Sequence, residues 1–190
     1  MKKLKIFLLA VLVSLVLLPP AAAEELKIAV VDMDQVFNEY HKTPGVEKML
    51  SERAGAIRAA IEAKNEELKT QEEQLLKLKD EANNIALDND ARAKKSIEFT
   101  NLLKRLQKNK IALDKYTQEK SVEYRKLEAE KRNEIVKDIV AEVQARAIAG
   151  NYTLVLDKSG KTINGISSIV YNKSSIDITN EVIRQLNRTK

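Results

Sequence analysis

Along positions 46–87, apolar residues return in two columns separated by alternating steps of four and three. One column is Ala54, Ile61, Leu68, Leu75 and Ala82; the other is Leu50, Ile57, Lys64, Gln71, Leu78 and Ile85. This period is the seam of a coiled coil. Lys64 and Gln71 place polar groups in it and predict a weaker or hydrated stretch. A second helical pattern, about 91–149, is less regular. Leu102, Leu106, Leu113 and Leu127 mark its stripe, with Tyr116 and Tyr124 close by. From Ile135 onward the apolar face widens to Ile135, Ile139, Val143 and Ala147, flanked by Val136 and Val140. A wider face predicts packing against a sheet rather than a single helix.

Between the two patterns, Asn83-Asn84 and Asp88-Asn89-Asp90 cluster helix-weakening residues, which predicts a hairpin turn near 87–91. Only Gly55 and no proline interrupts the chain from Val46 to Ala149, and Gly150 is placed to end the return helix.

The flanking segments change period. Leu26, Ile28 and Val30 alternate on one face of a short strand, and Asp32 with Gln35 predicts a capping-box-like start for a short helix through Tyr40. Thr43-Pro44 reads as N-cap and first position of the outgoing helix. After Gly150, strands are expected at 152–156 and 169–171, with a turn at 157–160. Asp177 or Thr179 caps a last helix, in which Ile178, Val182 and Leu186 recur every four residues. The fold class is therefore α-rich α+β. A discontinuous head is built from 24–43 and 151–190, and an antiparallel coiled-coil hairpin arm, 44–150, is inserted in it.

At the N-terminus, Lys2, Lys3 and Lys5 precede an apolar run from Ile6 to Leu18, then Pro19-Pro20 and three alanines. That order predicts a secretory signal peptide, residues 1–23, with Ala21 and Ala23 at the cleavage positions. This run of 13 residues, interrupted only by Ser14, falls short of the roughly 20 a spanning helix requires. The chain has no cysteine, so neither a disulfide framework nor a lipid-modified cysteine is expected.

Charge is informative in its distribution. The chain has 33 basic and 28 acidic residues; three lysines lie in the signal, leaving 30 against 28, or +2. Residues 51–90 hold 6 basic and 10 acidic side chains, whereas 92–137 hold 14 and 7. Halves of opposite sign attract when they lie side by side, though each exposed pair contributes little. Charged residues make up 32% and aromatics 4% of the chain, the composition of long helices rather than a compact globule. His41, the single histidine, sits in the linker before Thr43-Pro44 without a cysteine or a convincing carboxylate partner, and reads as a surface residue. No phosphate loop or metal spacing appears, so no enzyme, no cofactor and no metal are expected. Export argues against a nucleic-acid partner.

The head segments total about 60 residues, a size that is marginal alone, and their strands have open edges. A homo-oligomer sharing one closed sheet is expected.

Lys27 to Phe37, KIAVVDMDQVF, resembles the opening of mature Skp/OmpH proteins. Leu154-Val155-Leu156-Asp157, Val170-Tyr171 and Asp177-Ile178-Thr179 resemble their closing segment. The resemblance implies a jellyfish-like trimer whose heads share a β-barrel lined by Ile28, Val30, Leu154, Leu156, Ile169 and Tyr171. It implies arms that cage unfolded outer-membrane proteins in the periplasm without ATP. Off-seam Leu76, Phe99, Leu103 and Ile111 are the candidate client contacts. Two departures stand out. The near-neutral mature chain favours only weak contact with an anionic membrane, and the 159–168 segment is longer than in the shortest members. The competing reading is a structural or adaptor coiled coil of the cell envelope that binds a folded partner.

Overall fold

The computed structural model describes residues 26–188, so the expected signal peptide, Ala21 and Ala23 included, lies outside the described residues. Strand β1 (Ile28–Val31) leads into helix α1 (Met33–Glu39), then the outgoing helix α2 (Thr43–Ala82) and the return helix α3 (Asn89–Ala149). Strand β2 (Leu154–Asp157), a 3-10 turn (Ser174–Ile176) and helix α4 (Thr179–Leu186) complete the chain.

The two strands pair in parallel, Ile28 opposite Leu154 and Val31 opposite Asp157. Parallel neighbours require a crossover connection, and here the whole arm serves as one. On its other edge β1 bridges Asp177 through Val30. Strand β1 is thus the middle of the head, which explains why Ala29, Val30 and Val31 are all at most 2% exposed.

Ala29 and Val31 face a core formed with Val36 and Tyr40, with Ile135 and Ile139 of α3, and with Ile178, Val182 and Leu186 around α4. The widened apolar face at the end of α3 enters this core through Ile135 and Ile139, packing chiefly against α1 and α4 rather than on the sheet alone. Val136 and Val140 flank it yet stay 40% and 38% exposed.

Local rules explain the short elements, with some differences. Asp32 caps α1 by accepting from the Gln35 N–H at 2.9 Å. The reciprocal half of a capping box is absent, because Gln35 donates to Glu39 and the Asp32 N–H donates to Thr179 Oγ1. The N-cap of α2 is Lys42 rather than Thr43. Thr43 is 1% exposed and donates its hydroxyl to the Phe37 carbonyl at 2.6 Å, closing the end of α1. Gly150 ends α3 with a negative φ, and Asn151 takes the left-handed conformation at φ 51°.

The arm follows the predicted seam. Leu50 and Gln71 are buried, and Ala54, Ile57, Ile61, Leu68, Leu75 and Leu78 along the same seam are half-buried. Cross-helix partners climb on α2 as they descend on α3: Arg53 with Glu123, Glu72 with Lys110, Glu81 with Lys95. The last two join an acid of the outgoing helix to a base of the return helix, as the opposed charges of the two halves predict.

The turn lies earlier than expected. Helix α2 stops at Ala82, Asp88 caps α3 by accepting from the Ala91 N–H, and residues 83–88 connect them. Asn84 Oδ1 accepts from the Ala86 N–H, a local alternative to helix that the asparagine pair supplies. Ile85 therefore leaves the seam and is 91% exposed.

Candidate functional site

Two surfaces stand out, the outer face of the head sheet and the flanks of the arm. In a strand pair, residues in register share a face. Ile28 with Leu154, and Val30 with Leu156, therefore stand side by side on the face turned away from the helical core. Leu154 is 45% exposed, and Leu26 at the strand entrance is 65% exposed.

The expected third strand at 169–171 is not a strand. Ile169 is half-buried and Tyr171 is 80% exposed, so neither lines a sheet within one chain. The 159–168 segment instead closes a small hairpin of its own, with Lys161 bridging Ser167. The Gly165 N–H reaches the Thr162 carbonyl at 2.8 Å. Gly165 adopts φ 77°, a conformation glycine accepts freely. The hairpin holds no apolar core, and Ile163, Ile166 and Val170 all project into solvent. A β-rich sequence with no neighbour to pair with stays irregular, which is why the strand pattern misleads here.

Polar groups lock the two chain ends together. Lys158 Nζ contacts Asp177 Oδ2 at 2.8 Å and Asp32 Oδ2 at 3.8 Å. Burial pushes the Asp177 carboxyl up, but Lys158 and the hydroxyl and N–H of Thr179 outweigh it and hold the group below its ordinary value. The hydrogen bond to Asp177 raises the Lys158 ammonium. At the opposite end of β1, Lys27 donates to the Gly150 carbonyl at 2.6 Å and stands 4.7 Å over the Tyr152 ring.

His41 is half-buried rather than a free surface group. Its backbone N–H donates to Asn187 Oδ1, its ring Nδ1 lies 3.1 Å from the same oxygen, and Asn187 donates to the Glu39 carbonyl. It is a structural link between the α1–α2 junction and the end of α4. Among the described residues no group of His, Cys, Asp and Glu is placed to hold a metal ion. No described helix is long and apolar enough to cross a membrane.

On the arm, Leu76 and Ile111 are 62% and 70% exposed. Phe99 and Leu103 are half-buried. The shielded positions of α3 explain the difference. They run Lys95, Phe99, Leu102, Leu106, Asn109, Leu113, Tyr116 and Lys120, alternating four and three. Phe99 thus belongs to the seam, and Leu103 flanks it. The return helix is as regular as the outgoing one, but polar residues at its seam positions hide the repeat. Sequence reasoning also missed Ile97 and Val122, which are 62% and 54% exposed. Once the seam is known, both fall on the back of α3.

The polar seam stretch is partnered across the two helices. Asn109 donates to Gln71 Oε1 at 3.0 Å, and Lys64 Nζ stands 5.1 Å over the Tyr116 ring. A cavity of about 110 Å3 opens beside Lys64, Leu68, Asn109 and Leu113. Nearer the head, an open notch of about 240 Å3 lies between Ala54, Ile57 and Ile61 on one helix and Thr117, Ser121 and Tyr124 on the other. Both are shallow breaks between two helices, without converging catalytic groups.

Comparison with known proteins agrees with this architecture. The family model described as outer membrane protein (OmpH-like) matches residues 27–186. A crystal structure of a proposed OmpH-like outer membrane chaperone from Caulobacter crescentus CB15 superposes with a TM-score of 0.65 at 14% identity, covering 86% of this chain and 85% of that one. No curated protein sequence matches this chain.

Proposed function

The chain belongs to the OmpH-like family of outer membrane proteins, and from that premise we propose that it is a periplasmic holdase that shields unfolded outer-membrane proteins without ATP. It works as a homotrimer in this reading. The head sheet, open along β2 and apolar on its outer face, is closed by neighbouring copies through Ile28, Leu154 and Leu156, while Val30 of the same face is already covered within its own chain. Ile169 and Tyr171 gain strand partners there that one chain lacks. The arms are antiparallel coiled-coil hairpins, and a client sits between them. Catalysis plays no part, and no cofactor is needed.

The observation that carries the reading is the form of the apolar surface on the arm. Leu76, Ile97, Ile111 and Val122 are exposed and spaced apart along helices rich in charge. Isolated groups of this kind form no pocket for a folded ligand. Several of them, presented by several arms, hold an unfolded chain through many weak contacts whose avidity exceeds any one of them. Acidic clients gain further attraction from the basic return helix, and a membrane surface takes only a weak share.

The test is aggregation of a denatured β-barrel client diluted from urea, with the mature protein present and nucleotide absent. Suppression at about one trimer per client is expected. Unaltered aggregation at that ratio would overturn the proposal, and capture of one stable folded partner instead would favour an adaptor role.

A further inference from the structure

Apart from its sheet, the head carries two apolar surfaces that its own chain leaves uncovered, and they differ in charge. The first is the hairpin after β2, whose tip is the turn from Thr162 to Gly165. Ile163 occupies that turn, where glycine, asparagine or serine is usual. It is wholly exposed, so it buries no area in the fold of one chain. Ile166, Val170 and Tyr171 are exposed as well. Together the four form a patch, unlike the scattered apolar groups that any surface tolerates. From Ser159 to Asn172 the only charged residue is Lys161. It is exposed and makes no ion pair among the described residues.

The second surface is a groove of about 330 Å3 beside the end of β2. It lies between Met33, Asp34 and Phe37 of α1, Arg132 and Val136 of α3, and Asp157. Its charge is negative. Arg132 stands over the Phe37 ring and pairs with Glu128 at 3.5 Å, whereas Asp34 and Asp157 meet no cation among the described residues. Asp157 Oδ1 accepts only from neutral donors, the Met33 N–H and the N–H and hydroxyl of Ser159.

Within one chain the two surfaces stay apart. The tether between them is short and held: the Lys158 N–H donates to the Val31 carbonyl at 2.9 Å, and its Nζ contacts Asp177 at 2.8 Å. An occupant of the groove therefore comes from another copy. Strand β2 has β1 on one edge only, so its other edge is free. A neighbour whose residues 169–171 run antiparallel along that edge sets Ile169 near Asp157. Its preceding turn then extends past the end of β2, where the groove lies.

We infer that the hairpin tip of one copy seats in the groove of the next. Ile163 and Ile166 cover Met33, Phe37 and Val136, and Lys161 faces Asp34 and Asp157. The inference rests on the oligomer proposed above and adds to it a second contact, outside the shared sheet. Such a contact is heterologous, the kind that closes into a ring. The apolar burial supplies most of its strength, because exposed charge pairs are individually weak. The charges instead select the groove over the other apolar surfaces of the chain.

The chain has no cysteine, so Ile163→Cys/Val136→Cys places one thiol on each surface. Mild oxidation should link the copies covalently, at the mass that light scattering reports for the untreated protein. Ile163→Cys/Ile97→Cys, whose second thiol lies on the exposed flank of the arm, should not. Adding Asp34→Lys to the linking pair should slow its formation about twofold to fivefold, and adding Lys161→Glu as well should restore it. In the otherwise unaltered protein, Ile163→Asp should weaken association by about tenfold or more with helical circular dichroism intact. Thiols that stay free or pair within one chain, in a protein still oligomeric by light scattering, overturn this inference alone. Equal linking in both cysteine pairs does the same, since it would report collision rather than contact. So does an Ile163→Asp protein of unchanged mass that no longer floats with phosphatidylglycerol vesicles, because the tip would then be a membrane contact. A monomeric mass for the parent overturns the oligomer and this contact together.

Discussion

Ile28 and Leu154 stand directly opposite each other in a parallel pair, although the whole arm separates them along the chain. Their shared face looks away from the helical core, and Leu154 keeps 45% of its surface exposed. Leu154→Arg should therefore leave the single chain folded while placing a charge on the surface that neighbouring copies cover. Light scattering should show association weakened by about tenfold or more, a change worth roughly 1.4 kcal/mol, with helical circular dichroism intact. An unchanged mass would remove this face from the interface.

Removing a side chain from the head core should act differently. Ile139 is 0% exposed and joins the arm to the sheet. Ile139→Ala should cost about 2–5 kcal/mol, read as a lower urea midpoint. A loss below about 0.5 kcal/mol, within the usual range for surface substitutions, would mean that the arm does not support the head.

The Gln71–Asn109 hydrogen bond joins the two helices in the polar stretch of the seam. Gln71→Leu alone strands the Asn109 amide and should cost about 1 kcal/mol. Replacing both with leucine should match or exceed the parent in melting temperature, because two partnered polar groups are exchanged for packed apolar ones. Additive losses in the double variant would contradict this account.

Asp177 has its folded pKa held below the unfolded value of about 3.8. Its contribution is present above that value and is lost as pH falls through the folded pKa. Urea midpoints measured downward from pH 7 should therefore drop below about pH 4, and Asp177→Asn should flatten that acid limb. The lysine side mirrors this. Lys158 is raised by its bond to Asp177, so its contribution persists below about 10.5 and fades only in strong alkali. Identical acid limbs for parent and variant would show that the lock is not formed.

If Leu76 and Ile111 meet clients, Leu76→Gln/Ile111→Gln should weaken holding of an unfolded barrel by about tenfold while melting temperature stays constant. Exposed side chains contribute little to folding, so a large loss of stability would show that they are packed after all.

Much of this fold is legible in the sequence. The heptad columns before Ala82 and the wide stripe at Ile135 and Ile139 report their burial directly, because apolar side chains fill almost every seam position there. Elsewhere the pattern fails for physical reasons. Lys95, Asn109 and Lys120 occupy seam positions of the return helix and mask its repeat. Asn84 turns the chain back by its own hydrogen bond, several residues before the acidic cluster that draws the eye. Strand-like residues at 169–171 find no partner within one chain, and no local signal distinguishes that case from a paired strand. The resemblance of both chain ends to Skp/OmpH proteins agrees with the family match over 27–186.

The head can be assembled only when the last residues of the chain are available, since β1 waits for β2 and α4. Left to diffusion, that would be a slow closure between remote segments. The pairing of α2 against α3 shortens that search by carrying Thr43 and Ala149 to the same end of the arm, so that β1 and β2 meet across short tethers. Kinetic control of the head therefore resides at the far tip of the arm. A substitution that disfavours the 83–88 turn should slow refolding of a sheet it never touches.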